Sequence, residues 1–157
     1  MRSLVLFAIA LALCLVQYSW LARWPVTPDL PLALAAWAMV DGTEEGVLWR
    51  AWLIGVVADF VDPGSEYFHA VAFLLLALAY LPVRSLVFRT RSTGWASWAA
   101  VCSLAVALCD GWIAGFGDST WKTMLLGAGE TAVAAMAVGW LFGGLPGAWH
   151  PVGRGGA

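Results

Sequence analysis

Three acidic residues lie in or beside strongly apolar stretches of the chain: Asp59, Asp110 and Glu130. Ionisable side chains are costly at membrane depth, so a functional or partner-binding role is the first hypothesis for each. At 1.5 Å per helical residue, Asp110 would lie about 21 Å from the inner end of its helix, and Glu130 about 14 Å from the outer end of the next. In an antiparallel hairpin these two carboxyl groups could share a polar pocket, with at least one of them protonated. Alternatively, a neighbouring hydroxyl or indole satisfies each acid.

Gly55 and Asp59 form a Gly-x-x-x-Asp pattern that runs into the turn sequence Pro63-Gly64. Residues four apart share a helix face, so Gly55 would permit close helix approach beside the carboxylate. Pro63 and Gly64 would end the helix and turn the chain. Asp59 then either caps or stabilises this turn, or contacts a partner near the outer surface.

Motifs of the common catalytic sites are missing from the sequence. It contains no His-Glu-x-x-His, no Gly-x-Ser-x-Gly and no phosphate-binding loop. Asp110-Gly111 lacks the further aspartates and the arginine of a CDP-linked alcohol phosphotransferase site. Glu66 and His69 have the spacing of a carboxylate-bridged metal site, but a second such pair is missing. The sequence therefore predicts no enzyme, no metal site and no cofactor.

The amino-acid composition indicates whether these residues are surrounded by water or by lipid. The chain has 157 residues, of which 62% are hydrophobic and only 11% charged, against roughly 25% charged in soluble domains. The net charge is −2, and no basic run could track a phosphate backbone, which excludes nucleic-acid binding. We predict an all-α polytopic transmembrane helix bundle of about six spans, formed by residues 1–144, with a Gly- and Pro-rich cytoplasmic tail at 145–157. The predicted spans cover residues 3–22, 30–43, 46–61, 66–83, 95–115 and 121–143.

Two features of the spans need explanation. The first span is interpreted as uncleaved because its apolar run continues past Val16 without a clear small-x-small cleavage site. The second and third spans are too short to cross a hydrocarbon core of roughly 30 Å. Either their charged ends lie at the interface of a thinned bilayer, or the pair is shielded inside the bundle. The cysteines, Cys14, Cys102 and Cys109, are interpreted as small hydrophobic residues.

Basic residues predict the orientation. With the amino terminus in the cytoplasm, six arginines lie inside, and only Arg23 and Lys122 lie outside, which favours two cytoplasmic termini in a bacterial inner membrane. An odd number of spans would instead place the carboxy terminus outside. The inner arginines are Arg2, Arg50, Arg84, Arg89, Arg91 and Arg154. Seven tryptophans, including Trp95 and Trp98, fall near span ends, where indoles commonly lie at the headgroup level.

Small residues recur every four positions in the last two spans, which predicts close helix contact. In span five they are Ala99, Ser103, Ala107, Gly111 and Gly115. In span six they are Gly127, Thr131, Ala135, Gly139 and Gly143. Either the two spans form an antiparallel hairpin packed on these faces, or one face receives a helix from a partner protein.

The stretch from about residue 25 to residue 91 resembles MreD, the small multi-span membrane subunit of the bacterial rod-shape machinery. The resemblance lies in Pro28-Asp29-Leu30, in the segment from Gly55 to Asp59 with its following turn, in His69-Ala70 and Tyr80, and in the basic residues Arg84, Arg89 and Arg91. MreD chains are similar in size, have five or six spans, and show a Gly-x-x-x-Asp before a Gly-containing turn.

This resemblance implies a non-enzymatic scaffold with an architecture like that of the S components of energy-coupling-factor transporters. Its implied partners are the single-span MreC, RodA with its penicillin-binding transpeptidase, and the MreB filament. The inner basic loop of Arg84, Arg89 and Arg91 would face MreB or anionic lipid. The alternative function is the vitamin-binding S component itself, which would need a solvent-accessible polar pocket near the outer face.

Overall fold

The computed structural model describes residues 2–24, 27–41, 44–62, 68–84, 92–114 and 120–143. Across these residues the chain is all-helical, so the predicted all-α class is confirmed. The helices are α1 (Arg2–Ser19), α2 (Leu30–Asp41), α3 (Glu44–Val61), α4 (Phe68–Val83), α5 (Ser92–Ala114) and α6 (Thr120–Gly143), with one 3₁₀ turn at Leu21–Arg23. Each helix coincides with one predicted span to within a few residues. The predicted tail at 145–157 lies outside the described residues.

Two of these helical stretches, Ser3–Arg23 and Trp121–Phe142, are long and apolar enough to cross a membrane. Only 17% and 28% of their residues, respectively, are buried by the rest of the chain. Apolar side chains that face outward in this way need lipid or another protein around them. Three apolar helical stretches are shorter: Leu30–Val40, Phe68–Val83 and Gly94–Cys109.

Helix α2 forms the centre of the bundle. Every residue from Pro31 to Val40 is buried, and α2 contacts all five other helices. A helix that is apolar on all sides has no solvent-facing side, so its sequence fits this central position. Its 12 residues reach only about 18 Å. Shielding inside the bundle, one of the two explanations considered for its length, therefore applies to α2.

Two pairs of consecutive helices, α5 with α6 and α3 with α4, pack closely against each other. Trp95, near the start of α5, packs on Gly139, near the end of α6, and these two helices share the most extensive contact in the bundle. They form the antiparallel hairpin that the sequence predicted. Helix α3 pairs in the same way with α4, and it also packs along α1.

Aromatic residues join the end of α4 to the start of α5. The rings of Tyr80 and Trp98 lie 5.1 Å apart, and the Trp98 indole N–H donates to Met39 Sδ of α2 at 3.3 Å. Trp98 is buried, so its indole packs inside the bundle, and its depth at the headgroup level stays a prediction. An indole satisfies its N–H equally well at an interface or inside a core that offers an acceptor, and spacing alone does not distinguish the two.

Candidate functional site

Asp59 connects the end of α3 to the start of α4. Its Oδ1 accepts a hydrogen bond from the His69 backbone N–H at 2.9 Å, and its Oδ2 accepts one from the Ala70 N–H at 2.8 Å. These N–H groups lie in the first turn of α4, where a helix has no internal acceptors for them. The Asp59 side chain is only 2% exposed. The carboxylate therefore caps α4 from a neighbouring helix, at the end where the helix dipole favours negative charge.

Gly55 makes this capping contact possible. A Cβ added there would lie 2.6 Å from both Ala70 Cα and the His69 carbonyl oxygen. Both are backbone atoms, which cannot swing aside as a side chain could. Gly55 and Asp59 thus act together, because the glycine lets α4 approach and the aspartate, one turn later, receives its N–H groups.

His69 completes this cluster, which we call the α3–α4 clamp (Gly55, Asp59, His69 and Ala70). Its Nδ1 lies 3.0 Å from Asp59 Oδ1 and donates a hydrogen bond to it when that nitrogen carries the proton. The spacing of motifs in the sequence did not predict this pair. A signal was available, since Asp59 and His69 stand five residues either side of Gly64, and residues equidistant from a turn face each other in a helical hairpin.

A second capping network holds the start of α2. Asp29 Oδ1 accepts from the Leu32 N–H at 2.9 Å, the arrangement of an N-cap residue. The Asp29 N–H donates to Thr131 Oγ1 of α6 at 3.0 Å, and the Leu30 N–H donates to Gln17 Oε1 of α1 at 2.7 Å. Pro31 has no N–H to satisfy. The N-cap residue and two other helices, α1 and α6, thus supply acceptors to the beginning of the buried helix.

Glu130 lies in a different environment. It lines a groove of about 510 Å³ whose other walls include Trp24 and Pro28. Its Oε2 atom is buried and accepts no hydrogen bond from the residues that the structure describes. The described lining of this groove contains no residue of α5, and the side chain of Asp110 lies outside the described part of the chain. A pocket shared by Asp110 and Glu130 stays a prediction.

A second groove, of about 300 Å³, separates the first part of α4 from the second half of α5. The two helices meet at Tyr80 and Trp98 and diverge towards Phe68 and Cys109. Its lining is almost entirely apolar. It offers contact area but no polar group that would select an occupant.

The predicted packing residues are placed as follows. Ala99, Thr131, Ala135 and Gly139 are buried, whereas Ser103, Ala107 and Gly127 are half-buried. Gly111 belongs to α5, with its surroundings not described. Arg84 directly follows α4. Several predicted residues lie outside the described part: Pro63, Gly64, Arg89, Arg91 and Gly115. The small-residue face of α6 does not serve contact with α5 alone, since the Thr131 hydroxyl accepts a hydrogen bond from the Asp29 N–H.

The described residues contain no group of three or more His, Cys, Asp or Glu side chains that could hold a metal ion. The polar groups that are brought together cap helices in both networks. Comparison with known proteins finds no match among family models, curated proteins or solved structures.

Proposed function

We propose that this chain is a non-enzymatic membrane scaffold of the MreD type in a bacterial inner membrane. In this role it binds the single-span MreC and supports peptidoglycan synthesis by RodA and its penicillin-binding transpeptidase, alongside MreB. It crosses the membrane six times with both termini in the cytoplasm. The short central helix α2 lies within this bundle.

The α3–α4 clamp is the observation that carries this proposal. The Gly-x-x-x-Asp pattern of the resemblance has a defined structural use, because Gly55 and Asp59 together fix the start of α4. Asp29, from the same resembling stretch, caps α2. The residues that carry the resemblance therefore fix α4 against α3 and the start of α2 against α1 and α6, as a rigid binding surface requires.

The alternative, a vitamin-binding transporter subunit, would need a polar cavity for a water-soluble ligand. Helix α2 fills the centre of the bundle with buried apolar side chains. The two grooves described above are predominantly apolar and open to the side. Such grooves suit contact with membrane helices better than binding of a vitamin, which favours the scaffold.

The test is co-purification. The tagged chain is expressed with MreC from the same organism, solubilised in a mild detergent and recovered by its tag. We expect MreC in the eluate at a constant ratio. The matched control is MreC whose membrane span is replaced by an unrelated span, and its recovery should fall at least tenfold. Loss of wild-type MreC from a folded, monodisperse preparation would contradict the proposal.

A further inference from the structure

The groove beside Glu130 runs along the outward side of α6. Its α6 wall extends from Leu125 to Ala137, which is about 18 Å of helix and more than half of a hydrocarbon core of roughly 30 Å. Trp24 and Pro28 form the opposite wall. Leu125 and Val133 are well exposed there, so the described residues leave this surface uncovered.

The floor of the groove admits another backbone. A Cβ at Gly129 would meet nothing within 4 Å, and Ala134 and Ala137 lie one and two turns further along the same wall. Small side chains of this kind allow a second helix to approach closely, which is the main source of helix association in membranes.

The Glu130 carboxyl group favours one kind of partner helix. It is close to the middle of α6, ten residues from Thr120, and one of its carboxylate oxygens is buried without a donor among the described residues. An acid at this depth is stabilised most by a cationic partner. An acyl chain would fill the apolar part of the groove but would bring neither a hydrogen-bond donor nor a positive charge.

We propose that this groove binds one membrane-spanning helix of another polypeptide, which places a lysine or arginine near its midpoint against Glu130. The inference rests on the scaffold function proposed above and identifies the surface that holds the partner's span. The helix brings a fully satisfied backbone to the apolar walls, and its basic side chain brings a positive charge and hydrogen-bond donors to the Glu130 carboxyl group, which lines the groove.

Host peptides test the groove without any MreC sequence. The full chain, with a donor fluorophore at its carboxy terminus, is reconstituted in phosphatidylcholine vesicles. Acceptor-labelled leucine-rich helices of about 20 residues are then added, identical except for a central Lys, Gln or Leu. We expect the Lys peptide to associate about three- to twentyfold more tightly than the Leu peptide, the range corresponding to interhelical polar contacts in membranes.

The variants decide whether this preference belongs to the groove. Glu130→Leu should abolish the advantage of the Lys peptide, and Glu130→Gln, which keeps the side-chain volume, should remove most of it. Gly129→Trp should weaken binding of all three peptides by filling the groove. Val101→Trp, a change at an exposed apolar position of α5, is the matched control and should leave binding unchanged.

Three results would overturn the proposal. The first is equal association of the Lys and Leu peptides, and the second is a Lys preference that survives Glu130→Leu. The third concerns lipid: a fluorophore at Val133→Cys is quenched by brominated phosphatidylcholine, and quenching that persists at saturating Lys peptide would show that lipid occupies the groove. Because the peptides contain no MreC sequence, failure here leaves MreC co-purification unaffected, and loss of MreC leaves the peptide result unaffected.

Discussion

Asp59 accepts hydrogen bonds from two backbone N–H groups of α4 with its two carboxylate oxygens. Asp59→Asn keeps the shape of this side chain but replaces one acceptor with an NH₂ group, so one N–H of α4 faces another donor. A buried polar group left without a partner costs about 1–3 kcal/mol. We expect the variant to unfold at a lower temperature in detergent, followed by intrinsic tryptophan fluorescence.

Glu130→Gln is the control for that measurement. It also replaces a carboxylate with an amide in an apolar helix, but no described residue donates a hydrogen bond to the buried Oε2 atom. Its unfolding temperature should stay close to that of the wild type. Equal destabilisation by the two substitutions would mean that loss of charge, rather than loss of the cap, controls stability.

Gly55 and Gly129 offer a second matched pair, since both lie inside helices. Gly55→Ala places a methyl group 2.6 Å from two backbone atoms of α4, and overpacking of this kind costs about 1–3 kcal/mol. Gly129→Ala meets open space and should gain up to about 1 kcal/mol from helix propensity. Thermal unfolding should therefore move in opposite directions for the two variants. A shift in the same direction would contradict the proposed role of Gly55.

At this scale the sequence predicted contacts within one segment better than contacts between segments. The spacing of Gly55 and Asp59 predicted a shared helix face and a close approach, because both follow from helix geometry. The partners Thr131 and Gln17 were not predicted for the α2 cap. They lie 102 and 13 residues from their donors in sequence, and only the packed bundle brings them together.

Among the elements, α2 depends most on its neighbours. Thr131→Val keeps the side-chain shape but removes the oxygen that receives the Asp29 N–H. Thr131 is buried, so the orphaned donor should cost about 1–3 kcal/mol. Thr131→Ser keeps the hydroxyl and should retain most of the stability. Hydrogen exchange of the Asp29 and Leu30 amides should accelerate in the valine variant alone.

Exchange that accelerates equally in the serine variant would assign the effect to the lost methyl group. A protected Asp29 amide in the valine variant would show that another group accepts its hydrogen bond. Either result would contradict the role given to the Thr131 hydroxyl.

Helix positions followed from the sequence, whereas the arrangement of helices did not. Charges, Pro and Gly separate the apolar runs, so all six helices were predicted with small errors in their ends. The sequence did not predict the central position of α2. Lipid and protein interior are both apolar, so a membrane helix needs no alternation between apolar and polar faces. For the same reason Trp37 and Trp98 are buried while Trp112 and Trp140 are exposed, although all four belong to apolar helices.

For the whole molecule, the proposed topology predicts which connections face the cytoplasm. Six crossings with an inner amino terminus place residues 85–91 and the carboxy terminus inside, and residues 63–67 and 115–119 outside. The distribution of basic residues favours this orientation. Helix α2 is the element for which a full crossing is hardest to explain, because its 12 residues are too few to cross a bilayer alone. The residue before α2, Asp29, donates its N–H to Thr131, which lies about 16 Å from the start of α6.

If α2 did not complete a crossing, α3 would begin on the outer side and every later connection would change sides. Reporter fusions distinguish the two cases. Green fluorescent protein at residue 157 should fluoresce, and alkaline phosphatase should be active after residue 117 and inactive after residues 88 and 157. The reverse pattern after residues 88 and 117 would show that α2 is a re-entrant segment. In that case the buried cap formed by Asp29, Gln17 and Thr131 would mark the turning point of the chain within the membrane, where irregular backbone is tolerated because protein surrounds it.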